Sequence, residues 1–193
     1  MRTMLRTAVA SLNIGSPWLA RRQRQHRGHT ALVIPVPEAE PAVSAIRRQY
    51  DAAANSGMPA HITLVYPFIP IDAIADEVED AIRSILLRQP SFSFRLVTVA
   101  TFPNVLYLAP HPARPFVDLT RAFEARWPDR PSYGGKFRDV VPHLTVAQGQ
   151  NVARLATRLT PALPIDAVAR CVDAMTQDAS GRWQTLERFE LRS

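Results

Sequence analysis

A chain of 193 residues, 47% of them hydrophobic, is long enough for one globular unit with a sizeable core and too apolar to remain disordered. Its single cysteine, Cys171, excludes an intrachain disulfide and a cysteine-built zinc site, and fits a reducing compartment. No apolar run approaches the roughly 20 residues needed to cross a bilayer, so a soluble, cytoplasmic protein is expected.

The net charge of +6 suggests nucleic acid until it is located. Arg2, Arg6, Arg21, Arg22, Arg24 and Arg27 lie within residues 1–29, which hold no acidic residue, and the 17 basic residues that remain balance the 17 acidic ones. The high isoelectric point therefore belongs to a basic N-terminal extension, residues 1–29, and does not indicate a basic groove on the folded part. Met4, Leu5, Ala8, Val9 and Leu12 would line one side of a short helix ahead of the RRQRQHRG run. The segment reads as a flexible arm, as an organelle-targeting peptide, or as an electrostatic arm for RNA or anionic lipid; composition does not choose among them.

From residue 30 strands and helices alternate. TALVIPV (30–36) has the composition of a strand, and Val43, Ile46, Tyr50 and Ala53 mark a helix face. PAHITLVYPF (59–68) is the next strand, with Ile62, Leu64 and Tyr66 on one face and His61, Thr63 and Val65 on the other. Asp72 is placed to cap a longer helix carrying Ile74, Val78, Ile82, Ile85 and Leu86 at the 3.6-residue period. SFSFRLVTVA (91–100) alternates as a third strand.

The order then repeats. NVLYLAP (104–110) is a strand, and Phe116, Leu119, Thr120, Phe123 and Trp127 give a helix. VPHLTVAQ (141–148) is a strand with His143 and Thr145 on one face; Val152, Leu155, Ala156 and Leu159 form a short helix face. IDAVARCVDAM (165–175) reads as one final strand, turned back through DASG into RWQTLERFEL. This order predicts an α+β fold over residues 30–193. Duplicated β-α-β-α-β lobes, about 30–102 and 103–193, would be related by a pseudo-twofold axis, with strand exchange between them allowed. Two small sheets would line a central cleft, with helices outside.

The repetition matters because equivalent strands carry HITL (61–64) and HLTV (143–146). One histidine on a strand is more often structural than catalytic, but two His-x-Thr pairs in register are not expected by accident. This chain resembles the two-histidine phosphoesterase superfamily, which includes 2'-5' RNA ligase-like proteins and RNA 2',3'-cyclic phosphodiesterases. The resemblance rests on the two motifs, their flanking apolar residues and the order of elements. It implies that His61 and His143 are the catalytic acid and base, that Thr63 and Thr145 bind phosphate oxygens, and that no cofactor or metal takes part. The activity implied is hydrolysis of a 2',3'-cyclic phosphate on an RNA end or a small nucleotide, with weak reverse 2'-5' ligation. The alternative is a non-catalytic nucleotide- or RNA-binding module of the same fold. One departure concerns the substrate: where many RNA-acting relatives follow the second motif with a basic residue, this chain has Gln148.

Two histidines suit that chemistry because an unperturbed pKa near 6.5 lets either ring act as acid or base near neutrality. Each threonine lies about 7 Å along its strand from its histidine, a spacing that brackets a phosphate. Metal binding is the rival use of histidine, but His26, His29 and His111 belong to no recognisable ligand spacing, and HEXXH, HxH and GxxxxGK[ST] are absent. The long PDRPSYGGKFRDVV segment (128–141) holds the only lysine; from it Lys136 or Arg138 could meet a second phosphate, and Tyr133 could stack on a base. Phe68 and Tyr107 are further stacking candidates.

Since both motifs and every helix face used above lie beyond residue 29, removal of residues 1–28 is expected to preserve the thermal unfolding transition and turnover of a small substrate. RNA binding at low salt is expected to weaken. Loss of the transition on truncation would make the extension part of the fold.

Overall fold

The computed structural model describes residues 30–135, 139–150 and 152–193. In chain order the strands are β1 (Thr30–Pro35), β2 (His61–Val65), β3 (Phe92–Phe102), β4 (Val105–His111), β5 (Leu144–Gln148), β6 (Ile165–Ala169), β7 (Cys171–Gln177) and β8 (Trp183–Glu190). The α-helices are α1 (Glu40–Tyr50), α2 (Ala52–Asn55), α3 (Asp76–Leu86), α4 (Arg114–Arg126) and α5 (Ala156–Leu159). The strands form two four-stranded sheets, all antiparallel, in the orders β2-β1-β7-β8 and β5-β4-β3-β6. The expected α+β architecture of duplicated lobes is the observed one.

Each sheet draws on both halves of the sequence. β3, last strand of the first half, pairs with β4 and β6, while β7 and β8 complete the sheet begun by β1 and β2. The run read as one strand over 165–175 is therefore two: it breaks at Arg170, where the chain leaves one sheet and enters the other. β6 alternates and β7 is buried on both faces, but no Gly or Pro marks the change, so the run reads locally as one strand. The helices also cross over. α1, which follows β1, packs against β5, and α4, which follows β4, packs against β2.

β1 shows how alternation builds two interiors. Leu32 and Ile34 face the main core beneath the helices, whereas Ala31 and Val33, with Met58 and Met175, form a second, smaller apolar cluster on the opposite face of the sheet. Both faces of β1 are buried, one in the main core and the other in the smaller cluster, which is why its sequence is nearly uniformly apolar.

The helix expected to be capped by Asp72 starts later. Asp72 sits in a single 3-10 turn (Ile71–Ala73), Ile74 is extended at φ −77° and ψ 120°, and α3 begins at Asp76 with no side-chain cap from Ala75. Ile71 and Ile74 are both buried, and anchoring them in the core costs the helix its first turn. The three acidic residues of the true first turn, Asp76, Glu77 and Glu79, meet the positive end of the helix dipole.

On α4, Phe116 is fully buried and its ring meets Phe92 and Phe94 edge to face, with centroids 5.1 and 5.0 Å away. Phe116→Ala removes this contact between helix and second sheet and is expected to cost about 3–5 kcal/mol in urea unfolding. A loss under about 1 kcal/mol would mean that the ring is not the anchor described.

Candidate active site

β2 and β5 are each the edge strand of their sheet, and they approach one another where the two sheets meet. Ile62 and Leu64 on β2, and Pro142, Leu144 and Val146 on or beside β5, are buried, while His61, Thr63, His143 and Thr145 are half-buried. All four polar side chains line one cleft of about 780 Å³.

The backbone holds the two histidines alike. His61 Nδ1 lies 2.7 Å from the carbonyl oxygen of Pro59, and His143 Nδ1 lies 2.7 Å from that of Val141, in each case two residues earlier. A carbonyl oxygen only accepts, so Nδ1 carries the proton in both rings, and Nε2 is the nitrogen able to exchange one with a substrate.

A second shared feature follows each threonine. Between β1 and β2 the register passes from Val33↔Thr63 to Leu32↔Val65, and between β4 and β5 from Tyr107↔Thr145 to Leu106↔Ala147. Leu64 and Val146 are thus the extra residues of two equivalent bulges, and beyond a bulge the faces exchange. This corrects the simple alternation read from the sequence. Val65 joins the core, and the residues five beyond each histidine, Tyr66 and Gln148, turn into the cleft.

The surroundings of the two imidazoles differ. Behind His61, buried Arg47 donates from Nε and Nη2 to Asp51 Oδ2 at 3.1 and 3.0 Å, and from Nη2 to Met58 O at 3.1 Å. Ala60 N donates to Glu40 Oε1 at 2.6 Å. The chain leading into the first histidine is therefore clamped by α1 through charged hydrogen bonds. Beside His143 stand two rings, Phe102 and Tyr107, with centroids 5.2 and 5.4 Å from the imidazole.

Burial holds the His61 pKa down at about 4, assisted by the Arg47 guanidinium and opposed by the Pro59 carbonyl and Asp51. Burial also lowers His143, with the Val141 carbonyl opposing. Both rings thus favour the neutral state when no ligand is present.

The other residues singled out in the sequence fall differently. Phe68 is 2% exposed, edge to face against Trp127 in the main core and not among the cleft-lining residues, so it is not available for stacking on a base. Tyr107 is 8% exposed and stacks on Phe102 at 4.3 Å, so it backs His143 instead of presenting its face to a ligand. Lys136, Arg138 and the side chain of Tyr133 lie outside the described residues. The segment that carries them is anchored before that point: Ser132 Oγ donates to Leu64 O at 2.9 Å, and Ser132 N donates to Glu124 Oε1 at 3.0 Å.

Sequence reasoning missed Met58, Gln177 and Trp183, which line the cleft without belonging to any motif. Among the described residues the lining includes the carboxylates of Asp51, Glu124 and Asp139 and no Lys or Arg. Among the described residues, no group of three or more His, Cys, Asp or Glu side chains is arranged to hold a metal ion.

The family model of the 2'-5' RNA ligase superfamily matches residues 35–186, which span both histidine strands and both sheets. The chain belongs to this superfamily. It is the two-histidine phosphoesterase grouping that the paired motifs resemble, a family of phosphoesterase- and ligase-type enzymes. No curated protein matches the sequence significantly. Among solved structures, E. coli LigT complexed with 3'-AMP is 18% identical, with a TM-score of 0.54 over 87% of this chain and 100% of LigT. LigT complexed with NADP+ is 19% identical, with a TM-score of 0.54 over 87% and 99%. TT0787 of Thermus thermophilus is 16% identical, with a TM-score of 0.52 over 86% and 98%. At these identities the likeness is one of fold.

The His61 environment has a consequence for stability. Its folded pKa of about 4 lies below the ordinary 6.5, so between those values the unfolded chain binds the additional proton. Stability on this account is intact above pH 6.5 and is lost as pH falls towards 4, by roughly 3 kcal/mol in all. His61→Gln is expected to flatten that part of the stability–pH curve, and an NMR titration should find the His61 ring neutral at pH 6. A His61 midpoint near 6.5 would contradict the description.

Proposed function

We propose that this protein is a metal-independent cyclic phosphodiesterase. It hydrolyses a 2',3'-cyclic phosphate, on an RNA end or a small nucleotide, by acid–base catalysis between His61 and His143. The observation that carries this reading is the convergence of two His-x-Thr pairs, from edge strands of different sheets, on one cleft with Nδ1 of both rings engaged by backbone. The complexes of E. coli LigT with 3'-AMP and NADP+ support a ligand of nucleotide size.

The two environments suggest a division of labour. His61, the ring held further towards neutrality, chiefly by burial, accepts a proton from the attacking water at Nε2. His143, protonated when the phosphate anion is bound, delivers its proton to the departing 2' or 3' oxygen. One P–O bond forms to the water oxygen and one breaks to the sugar oxygen; the product is a phosphomonoester, and the two rings end with their protonation exchanged. Thr63 and Thr145 donate hydroxyl hydrogens to the non-bridging oxygens, where charge grows in the transition state. With a sugar hydroxyl in place of water as the nucleophile, the same two proton transfers form a P–O bond to that hydroxyl while the cyclic P–O bond breaks, so this reading includes weak 2'-5' ligation without any further residue.

The test is replacement of the cyclic phosphate 31P signal by that of a monoester. His61→Ala and His143→Ala are each expected to lower kcat by about 10^3- to 10^4-fold while remaining folded. The double variant should be little worse than either single one, because the two rings act in one displacement. Thr63→Val and Thr145→Val should lose about 10^2-fold. The kcat/KM profile should be bell-shaped, with its optimum between about 4 and the ordinary histidine value of 6.5, since the base must be neutral and the acid charged. Turnover should be indifferent to EDTA. Chelation that abolishes activity, or a folded His61→Ala at wild-type rate, would end this reading.

A further inference from the structure

The cleft has two unlike ends. Around His143 and Thr145 it is lined by Phe102 and by Gln148, the residue that the second bulge turns towards it. Beside His61 and Thr63 it continues over the face of the first sheet that lies away from the main core. That face is the second apolar cluster, Ala31, Val33, Met58 and Met175, with Tyr66 and Trp183 half-buried against it. The cluster itself is buried, but its edge lines the cleft: Ala31, Met58 and the half-buried rings of Tyr66 and Trp183 form an apolar wall beside the polar site, with Val33 and Met175 packed behind it.

We infer that this wall of the cleft is a subsite for a planar heteroaromatic ring, the nucleobase of the ligand whose phosphate lies between the histidines, with Trp183 as its principal stacking residue. The inference rests on the nucleotide reading above and adds where the base goes and in which direction the ligand lies.

Three observations commit the surface to a flat ring. The first is continuity: His61, Thr63, Tyr66, Met58 and Trp183 line a single cavity, so an occupant of the apolar part is attached to whatever occupies the polar part. The second is rigidity. Trp183 is paired with Gln177 across the β7–β8 hairpin, its backbone N donates to Ser56 O at 2.6 Å, and Gly57, at φ +93°, lets the chain approach so closely that a Cβ there would sit 3.0 Å from Trp183 O. The Trp183 and Tyr66 rings meet at 66° with centroids 6.0 Å apart, an aromatic corner fixed before any ligand arrives. Rigid aromatic surfaces bind bases at low entropic cost, because every base has a π face. The third is polarity at the rim: Gln177, whose amide nitrogen is held by Gly181 O at 3.2 Å, keeps a side-chain oxygen able to accept from an exocyclic amine. An aliphatic ligand would use none of the stacking surface, and a polyanion would meet Glu124 and Asp139 with no Lys or Arg among the described lining residues.

The experiment is calorimetric titration of the full chain with 3'-AMP and with ribose 5-phosphate, for wild type, Trp183→Ala and Trp183→Phe, with thermal unfolding followed in parallel. The wild type is expected to bind 3'-AMP at least 10-fold more tightly than ribose 5-phosphate. Trp183→Ala should reduce that ratio by about 10-fold, and Trp183→Phe, which keeps a ring, should preserve most of it. A wild type that does not prefer the nucleotide, or a Trp183→Ala protein whose two affinities fall by the same factor, overturns the subsite. If Trp183→Ala is destabilised, the folded Trp183→Phe protein decides against a Gln177→Leu variant: the subsite requires loss of adenine preference in the latter and not in the former. Failure here is separable from failure of the phosphodiesterase reading. Nucleotide preference that depends on Trp183, without turnover of any cyclic phosphate, removes the reaction and leaves the subsite; turnover with no base preference removes the subsite and leaves the reaction.

Discussion

The architecture depends on one constraint: two edge strands must each be paired on one side only, yet remain straight enough to aim an imidazole and a hydroxyl into the same volume. β2 and β5 have one sheet neighbour apiece, β1 and β4, and the far side of each is given over to the meeting of the sheets. An unpartnered edge invites fraying or pairing with another chain. Here β2 is restrained from outside the sheet. Ser132 donates to the Leu64 carbonyl, α4 from the opposite half packs behind the strand, and Glu40 and Arg47 bind the chain that leads into it. The reciprocal placing of α1 behind β5 makes each half of the molecule a support for the other half's histidine.

From that constraint the electrostatics follow. Strands sandwiched between helices and a partially closed cleft are poorly solvated, so both imidazoles lose proton affinity. The inequality between them comes from the surroundings and not from the motif: a buried guanidinium stands behind one ring, and Phe102 and Tyr107 stand beside the other. Two groups of the same kind can take opposite roles only if their environments separate them. The ion pair of Arg47 with Asp51 serves the fold by clamping the approach to β2, while its two charges act on His61 in opposite senses and leave burial as the main cause of that ring's neutrality.

The bulges link packing to ligand recognition. Each threonine is followed by one extra residue that goes into the core, and the parity change turns Tyr66 and Gln148 towards the cleft. The fold thereby offers two equivalent positions at the ends of its polar quartet and fills them differently, with an aromatic ring at one and an amide at the other. A pseudo-symmetric scaffold acquires a direction in this way, and a ligand with a phosphate and a base has a direction to match.

Sequence alone determined the α+β class, the duplication, most helix faces and the two His-x-Thr pairs. These are encoded locally, by the period of hydrophobic residues and by the recurrence of four residues at equivalent places. It could not show that β6 and β7 belong to different sheets, because a strand-forming run without Gly or Pro at Arg170 is compatible with one strand or two. Phe68 and Tyr107 looked equally suited to stacking, since composition says nothing of which face a ring is given; packing against Trp127 buried the first, and packing against Phe102 placed the second behind His143. The Asp72 cap was lost because burial of Ile71 and Ile74 outweighed a favourable terminal residue. Trp183 was invisible for a related reason: it lies far from both motifs in sequence and joins His61 only when β8 is laid beside β7 and the Ser56–Met58 turn closes on it. Periodicity is a property of a segment and can be read from it, whereas the parity of a strand after a bulge, the sheet it joins and the rings that meet across a cleft are set by which segments pack together, and that only the tertiary structure decided.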